Sequence, residues 1–92
     1  MHKNNFLQYL EFEKRYSKHT LISYGTDLSQ FSSYLKLEFE IENIKEVSHQ
    51  IIRSWISSLL ESGISSRTVN RKITTLKSFY KYLIQEDVIS EN

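Results

Sequence analysis

A chain of 92 residues and 11.0 kDa has room for one domain, taken here as residues 1–92, with a single modest core. It holds no cysteine, no proline and two glycines, and its 12 Lys+Arg against 11 Asp+Glu leave a net charge of +1. That composition excludes a disulfide scaffold, a thiolate zinc finger and thiol catalysis, suits a reducing cytosol, and favours a few long helices over many short strands.

The first segment, from about Asn4 to Lys14, sets Phe6, Leu7 and Leu10 at helical spacing with Tyr9 beside them. Ser17 is a good N-cap for a second helix running to about Leu37. At about 100° per residue, Thr20, Tyr24, Leu28, Phe31 and Leu35 fall within an arc of about 80°, while Lys18, His19, Ser23, Thr26, Ser29 and Ser33 make a small polar face. Gly25 lies inside this helix, which points to close packing of another backbone. From Leu37 to Ile44, apolar Leu37, Phe39 and Ile41 alternate with Glu38, Glu40 and Glu42; the period predicts an extended connection with its apolar side on the core.

Ser48 caps a third helix, His49 to Glu61, burying Ile51, Ile52, Trp55, Ile56, Leu59 and Leu60, and Ser62-Gly63 ends it. A fourth helix starts at Ser65-Ser66 and runs to about Gln85, with Val69, Ile73, Leu76, Tyr80 and Leu83 as its core stripe. Its opposite arc holds Arg67, Asn70, Arg71, Thr74, Ser78 and Lys81, flanked by Thr75 and Lys77. Tyr82, at the edge of that polar arc, is the one aromatic expected to be exposed, and Val88 and Ile89 close the domain. No repeat or linker divides the chain, so the expected class is an all-α bundle of four main helices. Apolar runs are too short to span a membrane, and Met1-His2-Lys3-Asn4-Asn5 lacks the apolar stretch of a signal peptide.

Charge is unevenly spread. Ser65 to Lys81 carries five basic residues (Arg67, Arg71, Lys72, Lys77, Lys81) and no acid; Lys14 to Thr26 carries three (Lys14, Arg15, Lys18), again with no acid. Glu38, Glu40, Glu42 and Glu46 collect between them around Lys45 alone. Catalytic patterns are missing. The histidines at 2, 19 and 49 are far apart with no carboxylate at ligand spacing, so no metal site is expected. The glutamates at 38, 40 and 42 have no companion base, and neither a nucleophile elbow nor a glycine-rich phosphate loop is present. No catalytic residue and no cofactor are assigned.

The exposed face of the fourth helix is the best functional candidate. Solvated faces usually interleave Glu with Lys, yet acids are absent over these seventeen positions. Arg67 and Arg71, one turn apart, suit phosphates or guanine edges; Asn70, Thr74 and Ser78 are short enough to let a helix approach a groove. Two alternatives stand beside this reading. One is a helix-turn-helix regulator built on the third helix, the Glu61–Ile64 turn and Ser66 to Ile73. The other is a helical adaptor for protein partners that uses the acidic 38–46 region or the first helix.

The run Ser17-Lys18-His19-Thr20-Leu21-Ile22-Ser23-Tyr24, followed by Asp27-Leu28 and Phe31, resembles the opening motif of the N-terminal core-binding domain of tyrosine recombinases. The run from Ser66 to Leu83 (Ser-Arg-Thr-Val-Asn-Arg-Lys-Ile-Thr-Thr-Leu-Lys-Ser-Phe-Tyr-Lys-Tyr-Leu) is similar to the last long helix of the same domain. The resemblance covers essentially the whole chain and is nearest to Xer-like recombinases and simple integrases. It implies a SAM-like bundle of four to five helices forming half of a C-shaped clamp on double-stranded DNA, working with other recombinase protomers. By resemblance, Lys18, His19 and Thr20 at the start of the second helix, and Arg67, Asn70, Arg71, Thr74 and Lys77 on the fourth, become the DNA contacts, although the helical wheel turns Thr20 towards the core. The chemistry of such a family resides in a separate C-terminal domain with a tyrosine nucleophile, arginines, lysine and histidines. That domain is absent from this chain, so none of the six tyrosines is expected to be a nucleophile, and the chain is not expected to be an enzyme by itself.

Overall fold

Serines punctuate the chain into helices. The structure, a computed structural model describing residues 2–90, contains α1 (Lys3–Phe12), α2 (Lys18–Phe39), a 3₁₀ turn (Ile44–Glu46), α3 (His49–Glu61) and α4 (Ser66–Gln85). No strand occurs among the described residues, so the fold is all-α. The three longer helices each begin as expected. The hydroxyls of Ser17, Ser48 and Ser65 accept hydrogen bonds from the amides of Thr20, Ile51 and Thr68 at 3.2, 3.3 and 3.3 Å, pairing amides that the first turn leaves free. Gly63, just past α3, takes φ +87, the left-handed conformation that ends a helix most cheaply in glycine.

α2 packs against α1 and α4, and α3 packs against α4. The core centres on Phe6, Leu28, Phe31, Leu35, Phe79 and Leu83, all shut off from solvent. The Phe6 ring lies 5.2 Å from Phe79, joining α1 to α4, and Phe31 lies 4.9 Å from Trp55, joining α2 to α3. Gly25 does serve a close approach: a Cβ there would stand 3.3 Å from Leu7 Cδ1 of α1. Val88 and Ile89 close the bundle half-buried against the core.

Several expectations are corrected. The alternating stretch after Leu37 does not leave the helix at once. α2 continues to Phe39, its end fixed by Glu40 at φ 54 and by the Glu40 and Ile41 amides donating back to Lys36 and Leu35. Leu37 is consequently 81% exposed and Phe39 also faces solvent, while Ile44 alone of this stretch is buried. Backbone hydrogen bonds that extend an existing helix outweigh a strand-like period with no neighbouring strand to pair with. Leu60 is exposed as well, on the outer edge of α3. Tyr82 is buried, because α1 lays Phe6 and Tyr9 over it with ring centroids 5.4 and 5.0 Å away. Thr75 is fully buried rather than flanking a solvated arc, for a reason found at the α2–α4 contact.

Candidate nucleic-acid interface

Where α2 crosses α4, a single carboxylate of α2 gathers side chains of α4 around it. Asp27 lies on the core arc of α2 beside Tyr24, Leu28 and Phe31 and has no exposed surface. Arg71 grips it with two donors, Nε to Oδ2 at 3.3 Å and Nη2 to Oδ1 at 2.6 Å. Lys72 Nζ donates to Oδ1 at 2.8 Å and to Gln30 Oε1 at 2.6 Å, and the Thr75 hydroxyl donates to Oδ2 at 2.8 Å. Burial pushes the Asp27 carboxyl up, but the bonds from Arg71, Lys72 and Thr75, with the Lys72 charge, outweigh it and hold the group below the usual carboxylate range. Among the described residues no other acid pairs with Arg71 or Lys72. Two cations against one anion leave this crossing with one excess positive charge.

Around the crossing, Arg67, Asn70 and Thr74 are exposed on α4, as expected. Thr74 spends its hydroxyl on the Asn70 carbonyl at 3.1 Å, so it presents a methyl outward. Arg67, Asn70, Arg71 and Thr74 share one side of the helix. Lys77 is exposed two turns past Asn70, at the edge of that side, where it borders a groove lined by Ile52, Ile73 and Tyr80. Lys18 and His19 are exposed at the start of α2, about 14 Å along its axis from Asp27. Thr20 is half-buried and its hydroxyl meets that of Ser17 at 2.9 Å, making it part of the helix cap. Arg71 is therefore not the free cation its place on the wheel suggested: its side chain is 43% exposed and anchored from behind.

Sequence reasoning passed over Asp27, Gln30, Lys72 and Thr75 as a unit. A signal was available. Asp27 is the only Asp, Glu, Lys or Arg in α2 between Lys18 and Lys36, and it falls beside Thr20 and Tyr24 at the edge of the apolar arc. A charge placed there requires a cation from a facing helix. Elsewhere, the described residues hold no cluster of three metal-ligating side chains. Among the described residues no helix is long and apolar enough to cross a membrane. The Tyr80 hydroxyl is buried without a hydrogen-bond partner among the described residues, and burial pushes its pKa up to about 12, which disfavours the phenolate.

Comparison with known proteins matches this architecture to one class. The chain belongs to the phage integrase N-terminal SAM-like domain family, whose model matches residues 4–87. Among individual proteins it is similar to the tyrosine recombinase XerC of Bacillus subtilis (strain 168), 37% identical over 87 residues, covering 95% of this chain and 28% of that protein. It is also similar to XerC of Listeria innocua, 40% identical over 90 residues, covering 98% of this chain and 30% of the relative. The chain thus spans less than a third of the length of these curated relatives. No solved structure matches it.

Proposed function

We propose that this chain is the DNA-binding domain of a site-specific tyrosine recombinase, gripping the recombination core site in the cytoplasm as half of a clamp whose other half carries the catalytic residues. The observation that carries the reading is the exposed side of α4: Arg67, Asn70 and Thr74, with the outer part of Arg71, form a surface free of acids beside a crossing with one excess positive charge. Family membership supports the same reading. Double-stranded DNA is the partner, together with other protomers of the recombinase; no cofactor takes part. Lys18 and His19 extend the contact towards the start of α2, and Lys77 contributes charge from the rim of the neighbouring groove.

Duplex binding measured by fluorescence anisotropy against salt tests this. Each phosphate neutralised contributes about −0.9 to the slope of log K against log salt, so a contact made by a few cations gives a slope of about −3 to −5. Arg67→Ala and Lys77→Ala each reduce that slope by about one. A chain that binds no duplex even at low salt rules the reading out.

A further inference from the structure

We infer that Asp27 is a positioning residue, which locks the Arg71 guanidinium by one edge so that its other edge is presented as a fixed, planar donor pair to acceptors on the duplex; this rests on the duplex-binding reading of α4.

The geometry carries the step. A guanidinium has five N–H donors in one plane and two usable edges. Asp27 engages the Nε–Nη2 edge through both carboxylate oxygens. That leaves both Nη1 hydrogens and the second Nη2 hydrogen without a partner among the described residues, on a side chain that reaches solvent. The carboxylate is itself immobile, held by Lys72 and Thr75 from the same helix as Arg71. An arginine free in solvent loses considerable side-chain entropy when it binds, whereas this one has already lost much of it. The flanking Asn70 and Thr74 are short and the Arg71 side chain is 43% exposed, with the longer Arg67 one turn before it as a second cation on the same side. Its ligand chemistry is two adjacent oxygen or nitrogen acceptors, supplied either by a phosphate or by the O6 and N7 of guanine.

Asp27→Asn separates positioning from charge by the sign of its effect. Charge alone predicts tighter duplex binding, since the substitution removes an anion near the phosphates. Positioning predicts weaker binding, by about tenfold, with no further loss when Asp27→Asn is added to Arg71→Ala. The probes are a duplex selected by the wild-type chain from a random pool and a scrambled duplex of the same composition, with folding followed by circular dichroism. Loss on both duplexes assigns the acceptors to phosphate; loss on the selected duplex alone assigns them to guanine. Should Asp27→Asn not fold, Arg71→Lys takes its place: it keeps the charge, loses the fork, and is expected to bind about tenfold more weakly. Unchanged or tighter binding by the folded Asp27→Asn chain overturns the inference, as does an equal loss in the Arg71→Ala background or full affinity in Arg71→Lys. Absence of any duplex binding by the wild type overturns the functional reading and the inference with it.

Discussion

A carboxylate without solvent contact is stable only where its charge is answered, and Asp27 is answered by two cations and a hydroxyl. Removing its charge leaves Lys72 buried beside a neutral amide, so Asp27→Asn is expected to cost about 3–5 kcal/mol in urea unfolding at pH 7, a large fraction of the stability of a small domain. The pH dependence has a definite direction. Because its partners depress the Asp27 carboxyl in the folded chain, the folded state binds that proton less tightly than the unfolded state. The stabilisation is complete above about pH 4, the ordinary carboxylate value, and is lost as pH falls through the lower native value. The stability gap between wild type and Asp27→Asn therefore narrows in acid. A gap that stays constant from about pH 7 to about pH 2 would show that the carboxylate charge is not what holds the crossing.

Helices α2 and α3 carry their own predictions. Trp55 is buried against Phe31, and Trp55→Ala is expected to cost about 3–5 kcal/mol through the cavity it leaves, with duplex affinity of the folded fraction unchanged. Gly25→Ala gains about 1 kcal/mol of helix propensity but presses a methyl on Leu7 Cδ1. That atom ends a half-buried, flexible side chain, so the net change by thermal melting is expected within about 0.5 kcal/mol. Gly25→Leu has no such room and is expected to cost about 1–3 kcal/mol.

What could be read from residues alone at this level follows from range. Serine caps and the glycine at 63 act over three or four positions, so helix starts, the end of α3 and the main core stripe could be placed beforehand. Tyr82 and Thr75 could not, because their burial depends on α1 and Asp27, far away in sequence. Leu37 and Phe39 misled through a short alternation that has no partner strand to give it meaning.

Over the full bundle, exposed charge is unevenly spread. The acids at 38, 40, 42 and 46 gather where α2 ends and the chain turns towards α3, while Arg67, Asn70 and Thr74 face solvent without an acid beside them. The one ion pair that the acidic region makes among the described residues, Lys36 with Glu42 at 3.7 Å, is exposed and contributes little. Glu42→Gln is accordingly expected to leave both stability and duplex affinity nearly unchanged, whereas reversal of Arg67 to Glu should weaken duplex binding at low salt by more than tenfold. Equal effects from the two substitutions would mean that duplex attraction is diffuse and has no preferred side.

α2 is 22 residues long, about 33 Å, close to the 35 Å greatest extent of the domain, and Asp27 is its tenth residue. The aspartate thus fastens α2 to α4 near mid-span. A tilt of about 10° around it swings Lys18 by about 2–3 Å, roughly the difference between touching a phosphate and missing it. If the proposed contacts at the start of α2 and on α4 are both made, each depends on how Asp27 fastens the two helices, so loss of its carboxylate is expected to weaken them together.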